Sequence, residues 1–499
     1  LKYVIGLDLG TSAVKTLLID RTGKVCLEET VAYPLIQSKS GYSEQDPEEW
    51  VSKTKNALKG LLSKFEGNIE DIEGISFSGQ MHGLVLLDQE GNVLRPAILW
   101  NDTRTTKQCQ DIYNKVGKEK LLTVTKNPAL EGFTLPKLLW VKENEPELFK
   151  SATTFLLPKD YLRYRMTSHL ATDYSDAAGT LLLNIKEKKW STEICDDVGI
   201  SSSLCPPLVE SHECIGTLTL SFASETGLSK ATRVFAGGAD NACGAIGSGV
   251  LKRGETLCSI GTSGVILSYE NNADSDFEGK VHYFNHGKKD AFYTMGVTLS
   301  AGYSLTWFKK VFAKEYKFDD LLDGIDTVPV GSNGLLYTPY LTGERTPHAD
   351  SVIRGSFIGM DASHNIKDFV RAILEGITFS LNESIQTFRE NGNVIDTIIS
   401  IGGGAKNDKW LQMQADIFDA SIVRLKSEQG PGVGAAMLAA VGAGWFATLE
   451  DCAEVFIEKM QEFKPINANV QKYKKLFSIY QQVYFKTKSL NLELKAYRT

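Results

Sequence analysis

Apolar positions along the chain gather into short β-rich runs that each stop at a glycine. Tyr3 to Leu9 and Ala13 to Asp20 flank Gly10-Thr11-Ser12, which predicts strand, tight turn, strand. About half a chain later Glu255 to Ile260 and Gly264 to Ser268 flank Gly261-Thr262-Ser263 in the same way. Ile72 to Phe77 is a further strand pattern, ending in Ser78-Gly79-Gln80-Met81-His82-Gly83. Thr232 to Ala236 runs into Gly237-Gly238-Ala239-Asp240-Asn241, after which 242–250 is small-residue and helical. Thr397 to Ile401 ends in Gly402-Gly403-Gly404, and Trp410 to Ala420 has helical spacing.

Helices are also predicted over Leu135 to Lys142, Pro158 to Arg165 and Ile366 to Asn391, and in the Ala-rich stretch after Gly430-Pro431-Gly432. Asp46 and Pro47 read as the N-cap and first position of another. Met295 to Phe308 reads as a buried helix, 96–100 as a strand, and 470–497 as a charged surface helix. The repeated Gly-Thr-Ser hairpin implies a duplication: two like-folded α/β domains, 1–245 and 246–499.

Either hairpin alone is equally an ordinary turn containing Gly-Thr. The pair points instead to two phosphate-binding turns, since such turns offer backbone N–H groups and hydroxyls. Asp8 stands near the end of the first strand, within reach of a metal. Asp240 stands at a strand-to-helix turn beside glycines, where a carboxylate meets a ligand closely. An ordinary aspartate has a pKa of about 4, so Asp240 is expected to be ionised at neutral pH. Gln80 and His82, between glycines and strands, are placed to face a cleft, although a lone histidine is usually structural. Asp102 and Arg104 read as an ion pair or helix cap, and Asp173 and Asp176 as parts of a capped turn.

Composition narrows the picture. A net charge of −7 argues against a general nucleic-acid binder. No apolar run is long enough to cross a membrane. The chain enters a strand at once, so no signal peptide is expected. Eight cysteines without a C-x-x-C pair indicate neither zinc nor a disulfide framework and suit a cytoplasmic protein. Neither a Walker A loop nor a Rossmann G-x-G-x-x-G occurs.

Asp8-Leu-Gly-Thr-Ser12, Ile260-Gly-Thr-Ser-Gly264, Asp240 and Gly403-Gly404 together resemble the FGGY carbohydrate kinases. The resemblance covers essentially the whole chain. It implies two ribonuclease-H-like domains of the actin and hexokinase ATPase superfamily, with ATP, Mg²⁺ and a sugar between them. Ser43-Glu-Gln-Asp-Pro47, Gly79-Gln-Met-His-Gly83, Arg95-Pro-Ala-Ile-Leu-Trp-Asn-Asp102, Leu157-Pro-Lys-Asp-Tyr161, Ser175-Asp-Ala-Ala-Gly-Thr180 and Gly343-Glu-Arg-Thr-Pro-His348 resemble the branch acting on D-xylulose.

By that resemblance, Asp240 is the base for the 5-hydroxyl and Asp8 the second essential carboxylate. Both lie at the metal. Gln80, Met81, His82, Trp100, Asp240 and Asn241 face the sugar. Thr11, Ser12 and Lys15 form the first phosphate segment, Gly261 and Thr262 the second, and Gly403, Gly404 and Asn407 the adenosine segment. Gluconate or ribulose is the alternative substrate, and a non-catalytic ATP switch the rival from another class. The family suggests a homodimer.

Overall fold

The structure, a computed structural model, describes residues 1–428 and 430–498. Its first sheet is built from β1 (Tyr3–Leu9), β2 (Ala13–Asp20), β3 (Val25–Ala32), β4 (Ile72–Gly79), β5 (Cys214–Thr217), β6 (Arg233–Phe235) and the short β7 (Gly238–Ala239). The order is β5-β6-β4-β1-β2-β3, with β7 also on β4. The second sheet uses β8 (Gly254–Ile260), β9 (Gly264–Glu270), β10 (His282–Asn285), β11 (Phe292–Thr298), β12 (Ile395–Gly402), β13 (Ser421–Leu425) and β14 (Lys459–Phe463). Its order is β10-β11-β9-β8-β12-β13-β14.

The two sheets repeat one plan. An antiparallel hairpin, β1-β2 or β8-β9, has a further antiparallel strand on one side. On the other side two strands run parallel, β4 then β6, or β12 then β13. An antiparallel edge strand follows in each, β5 or β14. The duplication read from Gly-Thr-Ser is therefore a duplication of topology. Each Gly-Thr-Ser is the turn of its hairpin, at the carboxyl end of the central parallel strands, where open α/β sheets gather their ligands.

The helices that matter for the site are α1 (Pro47–Ser63), α2 (Pro158–Thr167), α3 (Asp240–Gly247), α4 (Gly302–Phe312), α5 (Ile366–Glu390), α6 (Asp408–Phe418), α7 (Pro431–Gly442) and α8 (Asn467–Leu494). The Asp46 carboxylate accepts from the Glu48 amide at 2.9 Å, so α1 begins where the cap pattern predicts. α5 buries Ile373, Ile377, Leu381 and Ile385, and α8 lays Tyr473, Phe477 and Tyr480 against it around Phe379. The tail helix is thus a surface helix with one buried face.

α7 packs on β1, β4 and α3 of the first half although in sequence it lies between β13 and β14 of the second sheet. Its approach to α3 is close enough that a Cβ on Gly434 would fall on the Cys243 carbonyl, so no other residue fits there. A division after residue 245 runs through α3, and α7 reaches back across it.

One predicted helix is partly a strand. Residues 295–298 complete β11, whose Tyr-Thr-Met-Gly-Val-Thr run pairs residue for residue with β9, and only Gly302 onward is helical. β-branched residues opposite a long partner strand outweigh the small-residue pattern there. The strand expected over 96–100 shrinks to Ala97–Ile98. Among the described residues, no helix is long and apolar enough to cross a membrane.

Candidate active site

Sheet register brings the two singled-out aspartates to one place. Asp8 of β1 lies opposite Ser78 of β4, and Ser78 lies opposite Gly238 of β7, two residues before Asp240. Two strand spacings make about 10 Å, and α3 then starts at Asp240 itself. The Asp240 carboxylate accepts from the Asn241 amide at 2.7 Å. Burial and then the charge of Asp8 push its pKa up to about 7. Asp240 is therefore not the fully ionised group that an ordinary aspartate would be at neutral pH. Burial also raises the Asp8 carboxyl, against the Ser78 hydroxyl and Lys15, which lower it. Two hard oxygen donors, each disfavoured as a bare anion, fit a Mg²⁺ ion, which takes one or two carboxylates and keeps its waters.

The Gly10–Ala13 turn has all its carbonyls tied back. The Tyr33 hydroxyl donates to Gly10 O and, at 3.0 Å, to Ala13 O. The Tyr33 amide donates to Ser12 O at 3.1 Å. The Gln45 amide nitrogen donates to Thr11 O at 2.6 Å. The amides of Thr11 and Ser12 donate to no protein group among the described residues, as an anion-binding turn requires. Lys15, on β2, reaches Glu28 at 3.4 Å.

The sugar-facing residues of the sequence reading separate into two groups. Met81, His82 and Asn241 come together: the side-chain Nδ2 of Asn241 donates to Met81 Sδ at 3.4 Å, and Tyr293 Oη stands 4.0 Å from the same sulfur. His82 sits at φ 69°, a left-handed conformation unusual away from glycine and common at functional sites. Its Nδ1 is 2.6 Å from Gly179 O, and its ring packs on Phe133 and Phe284. Burial, with the Lys137 charge behind it, pulls its pKa down to about 3, so the imidazole is neutral and Nδ1 carries the proton to Gly179. Gln80 and Trp100 instead serve the first turn. The Gln80 amide nitrogen reaches Gly10 O at 3.4 Å and Gln45 Oε1 at 3.1 Å. Trp100 Nε1 donates to Thr11 Oγ1 at 2.9 Å.

Gly261 and Thr262 form the turn between β8 and β9. Their carbonyls accept from Gly302 N at 2.9 Å and Tyr303 N at 3.1 Å, at the start of α4. The Gly343–His348 motif supports this arrangement from behind. Glu344, buried and raised by that burial to about 8, accepts from Leu299 N at 3.1 Å and Ser380 Oγ at 3.0 Å. Gly403 and Gly404 follow β12 after Gly402, whose φ of 81° and contact with Ile260 O exclude a side chain. Asn407 Oδ1 caps α6 through Lys409 N and Trp410 N, leaving only its amide nitrogen for a ligand.

Sequence reading did not single out the support beneath Asp240. Lys159 Nζ lies 2.7 Å from Asp160, 2.7 Å from Asp173 and 2.9 Å from Asp176, all fully buried. Burial pulls the ammonium down, but the carboxylates outweigh it and hold it charged. The lysine therefore occupies the centre of the three carboxylates, the place a cation would take. Asp173 accepts from the Ser175 hydroxyl, and Ser175 Oγ accepts from Ala239 N at 2.9 Å. Asp173 also caps Ser175 N at 3.0 Å, which agrees with the capped-turn reading. Asp102 and Arg104 pair at 2.7 Å. A separate hollow lined by Asp46, Glu48, Arg95, Tyr161 and Arg165 touches none of the candidate site residues.

Duplicated sheets with a tied-back turn in each, and two carboxylates at the strand ends, define a two-domain phosphotransferase fold of the actin and hexokinase ATPase class. The N-terminal domain pattern of the FGGY family of carbohydrate kinases matches residues 3–247, and its C-terminal domain pattern matches 256–443. The chain belongs to the FGGY family of carbohydrate kinases. It is 64% identical to xylulose kinase of Bacillus subtilis over 498 residues, covering 100% of both chains. Ligand-bound xylulose kinase from Lactobacillus acidophilus superimposes with TM-score 0.93 at 29% identity, covering 99% of this chain and 100% of that one. Gluconate kinase from the same organism gives TM-score 0.92 at 30% identity, with coverages of 97% and 98%. Backbone shape alone does not choose between those two substrates.

Proposed function

We propose that the protein transfers the γ-phosphoryl of ATP to the 5-hydroxyl of D-xylulose, giving D-xylulose 5-phosphate. The observation that carries this reading is the contact of Asn241 with Met81, which sets the Met81-His82 segment against the turn bearing Asp240. The full-length identity to a xylulose kinase supports the choice of sugar.

Asp240 accepts the proton of the attacking hydroxyl. In a loose transition state that proton leaves late, so orienting the oxygen is the larger task. A pKa near 7 suits it better than an ordinary carboxylate, because a general base works best near the operating pH. Neutral His82, its proton held on Nδ1 by Gly179 O, accepts a sugar hydroxyl at Nε2 without adding charge beside the sugar. The turns at Thr11-Ser12 and Gly261-Thr262 receive the phosphates, with Lys15 near the first. Gly403, Gly404 and the Asn407 amide receive adenosine. Asp8 and Asp240 would hold Mg²⁺, which would neutralise charge between the phosphates. Division at 245/246 and a cytoplasmic location belong to the same reading.

Asp240→Asn tests the base. D-xylulose should still bind in calorimetry while turnover falls by about a thousandfold or more; near-normal turnover would remove Asp240 from the mechanism.

A further inference from the structure

The Ser43-Glu-Gln-Asp-Pro47 motif holds a residue that the site uses without touching a substrate. Gln45 is 1% exposed and sits on a two-residue strand, Glu44–Gln45, paired with Ala97–Ile98. Its amide nitrogen donates to Thr11 O at 2.6 Å, and its Oε1 accepts from Trp50 Nε1 at 2.9 Å and Gln80 Nε2 at 3.1 Å. An indole N–H can only donate and a carbonyl can only accept, so this orientation of the Gln45 amide is the one that satisfies both ends. Gln80, also 1% exposed, completes the link. Its backbone amide donates to Leu9 O at 2.9 Å, its Nε2 also reaches Gly10 O at 3.4 Å, and its chain continues directly into Met81-His82.

We propose that Gln45 and Gln80 are positioning residues that couple the two substrates: a sugar seated on Met81-His82 sets, through their amides, the Gly10–Ala13 turn that receives the ATP phosphates. This rests on the functional reading above. Of the donors that hold the turn's carbonyls, Tyr33 directly follows β3, the strand after the hairpin, whereas Gln45 and Gln80 lead to the sugar side. The link is also poised to move. Gln80 Oε1 is buried with no partner among the described residues, and the Gln80–Gly10 bond is long. An unmet buried acceptor is costly, so a small displacement of 80–82 by the sugar has free energy to gain by improving it. The chemical use is control of timing. ATP held correctly only when a sugar is present is not wasted on water.

The test is the coupling between the sites, a reciprocal free energy. Affinity for a non-hydrolysable ATP analogue with Mg²⁺ is measured with and without saturating D-xylulose, in the parent protein and in Gln45→Met, which keeps length and volume. D-xylulose should tighten the analogue by at least about fivefold in the parent. In Gln45→Met that factor should fall to within about twofold of unity, while affinity for D-xylulose alone changes by less than about threefold. Gln45→Glu keeps the acceptor for Trp50 and Gln80 but loses the donor to Thr11 O, and it should lose the coupling likewise. Amide hydrogen exchange of 10–13 in the parent, on adding D-xylulose alone, needs no variant and should slow. Retained coupling in the variants, absent coupling in the parent, or unchanged exchange would overturn the proposal. A parent that binds neither D-xylulose nor the analogue would instead overturn the function on which it rests.

Discussion

The Ser175 hydroxyl accepts the amide of Ala239 at 2.9 Å, one residue before Asp240, while giving its own proton to Asp173. The strand end that carries the proposed base is therefore held from a buried ion cluster and not by sheet pairing alone. Ser175→Ala removes the acceptor and leaves a buried amide unmet. The expected result is a fall of about tenfold in kcat with KM for ATP within about twofold, because a base displaced by a fraction of an ångström loses transition-state contacts first. Steady-state kinetics with both substrates varied decides this. A change confined to KM for ATP would contradict it.

The cluster itself predicts a stability effect. Lys159 is the ammonium shared by Asp160, Asp173 and Asp176. Removing one member of a buried charged set costs about 3–5 kcal/mol, because the rest stay buried and uncompensated. Lys159→Met should therefore lower the urea midpoint sharply. The loss should shrink as pH falls, since stranded carboxylates have raised pKa values and are neutral in acid. Denaturation curves at pH 5 and pH 8 test both the size and the sign.

Asp240 gives a pH prediction with a definite sign. Its folded pKa of about 7 lies above the ordinary 3.8, so the folded protein holds a proton that the unfolded chain gives up in between. Stability from this group is complete below the ordinary value and is lost as pH rises through 7. Asp240→Asn, without Mg²⁺, should raise the melting temperature at pH 8 and change it little at pH 4. An equal shift at both pH values would contradict the burial argument. The same titration gives kcat/KM an acid limb that more Mg²⁺ moves to lower pH, since a cation favours the ionised carboxylate.

His82 stays neutral across the working range, its pKa pulled down to about 3 by burial. His82→Ala should raise KM for D-xylulose by about tenfold and KM for ATP by less than twofold. The slope of KM against pH between 6 and 9 should be the same in variant and parent. An ATP-selective effect would remove His82 from the sugar side.

Much of this arrangement was legible in the residues, for reasons that differ between elements. The hairpin turns were legible because β-rich runs broken by Gly-Thr-Ser have few other structures, and their repetition marked the duplicated sheet. Asp8 and Asp240 were legible as carboxylates at strand ends, but the pKa of Asp240 was not, since it depends on Asp8 and on burial from elements far apart in sequence. Gln80 looked like a sugar ligand because polar residues beside glycines usually face a cleft, and Trp100 was assigned to the sugar by resemblance alone. Their side chains turn toward Gly10 and Thr11, a direction set by tertiary packing. Gln45 lay hidden because the N-cap pattern at Asp46 already explained the motif. Asp173 and Asp176 were read as parts of a capped turn, but their shared pairing with Lys159 lay hidden because the partners are separated in sequence and are brought together only by tertiary packing.

The most direct measurement is sugar-dependent ADP release with ATP and Mg²⁺, run across D-xylulose, D-ribulose, L-ribulose, gluconate and glycerol. The proposed function predicts a kcat/KM for D-xylulose at least about tenfold above every other sugar. Gluconate or ribulose in first place would contradict the substrate while leaving the kinase chemistry standing. ADP release at one rate whether or not any sugar is present would contradict the function as a whole.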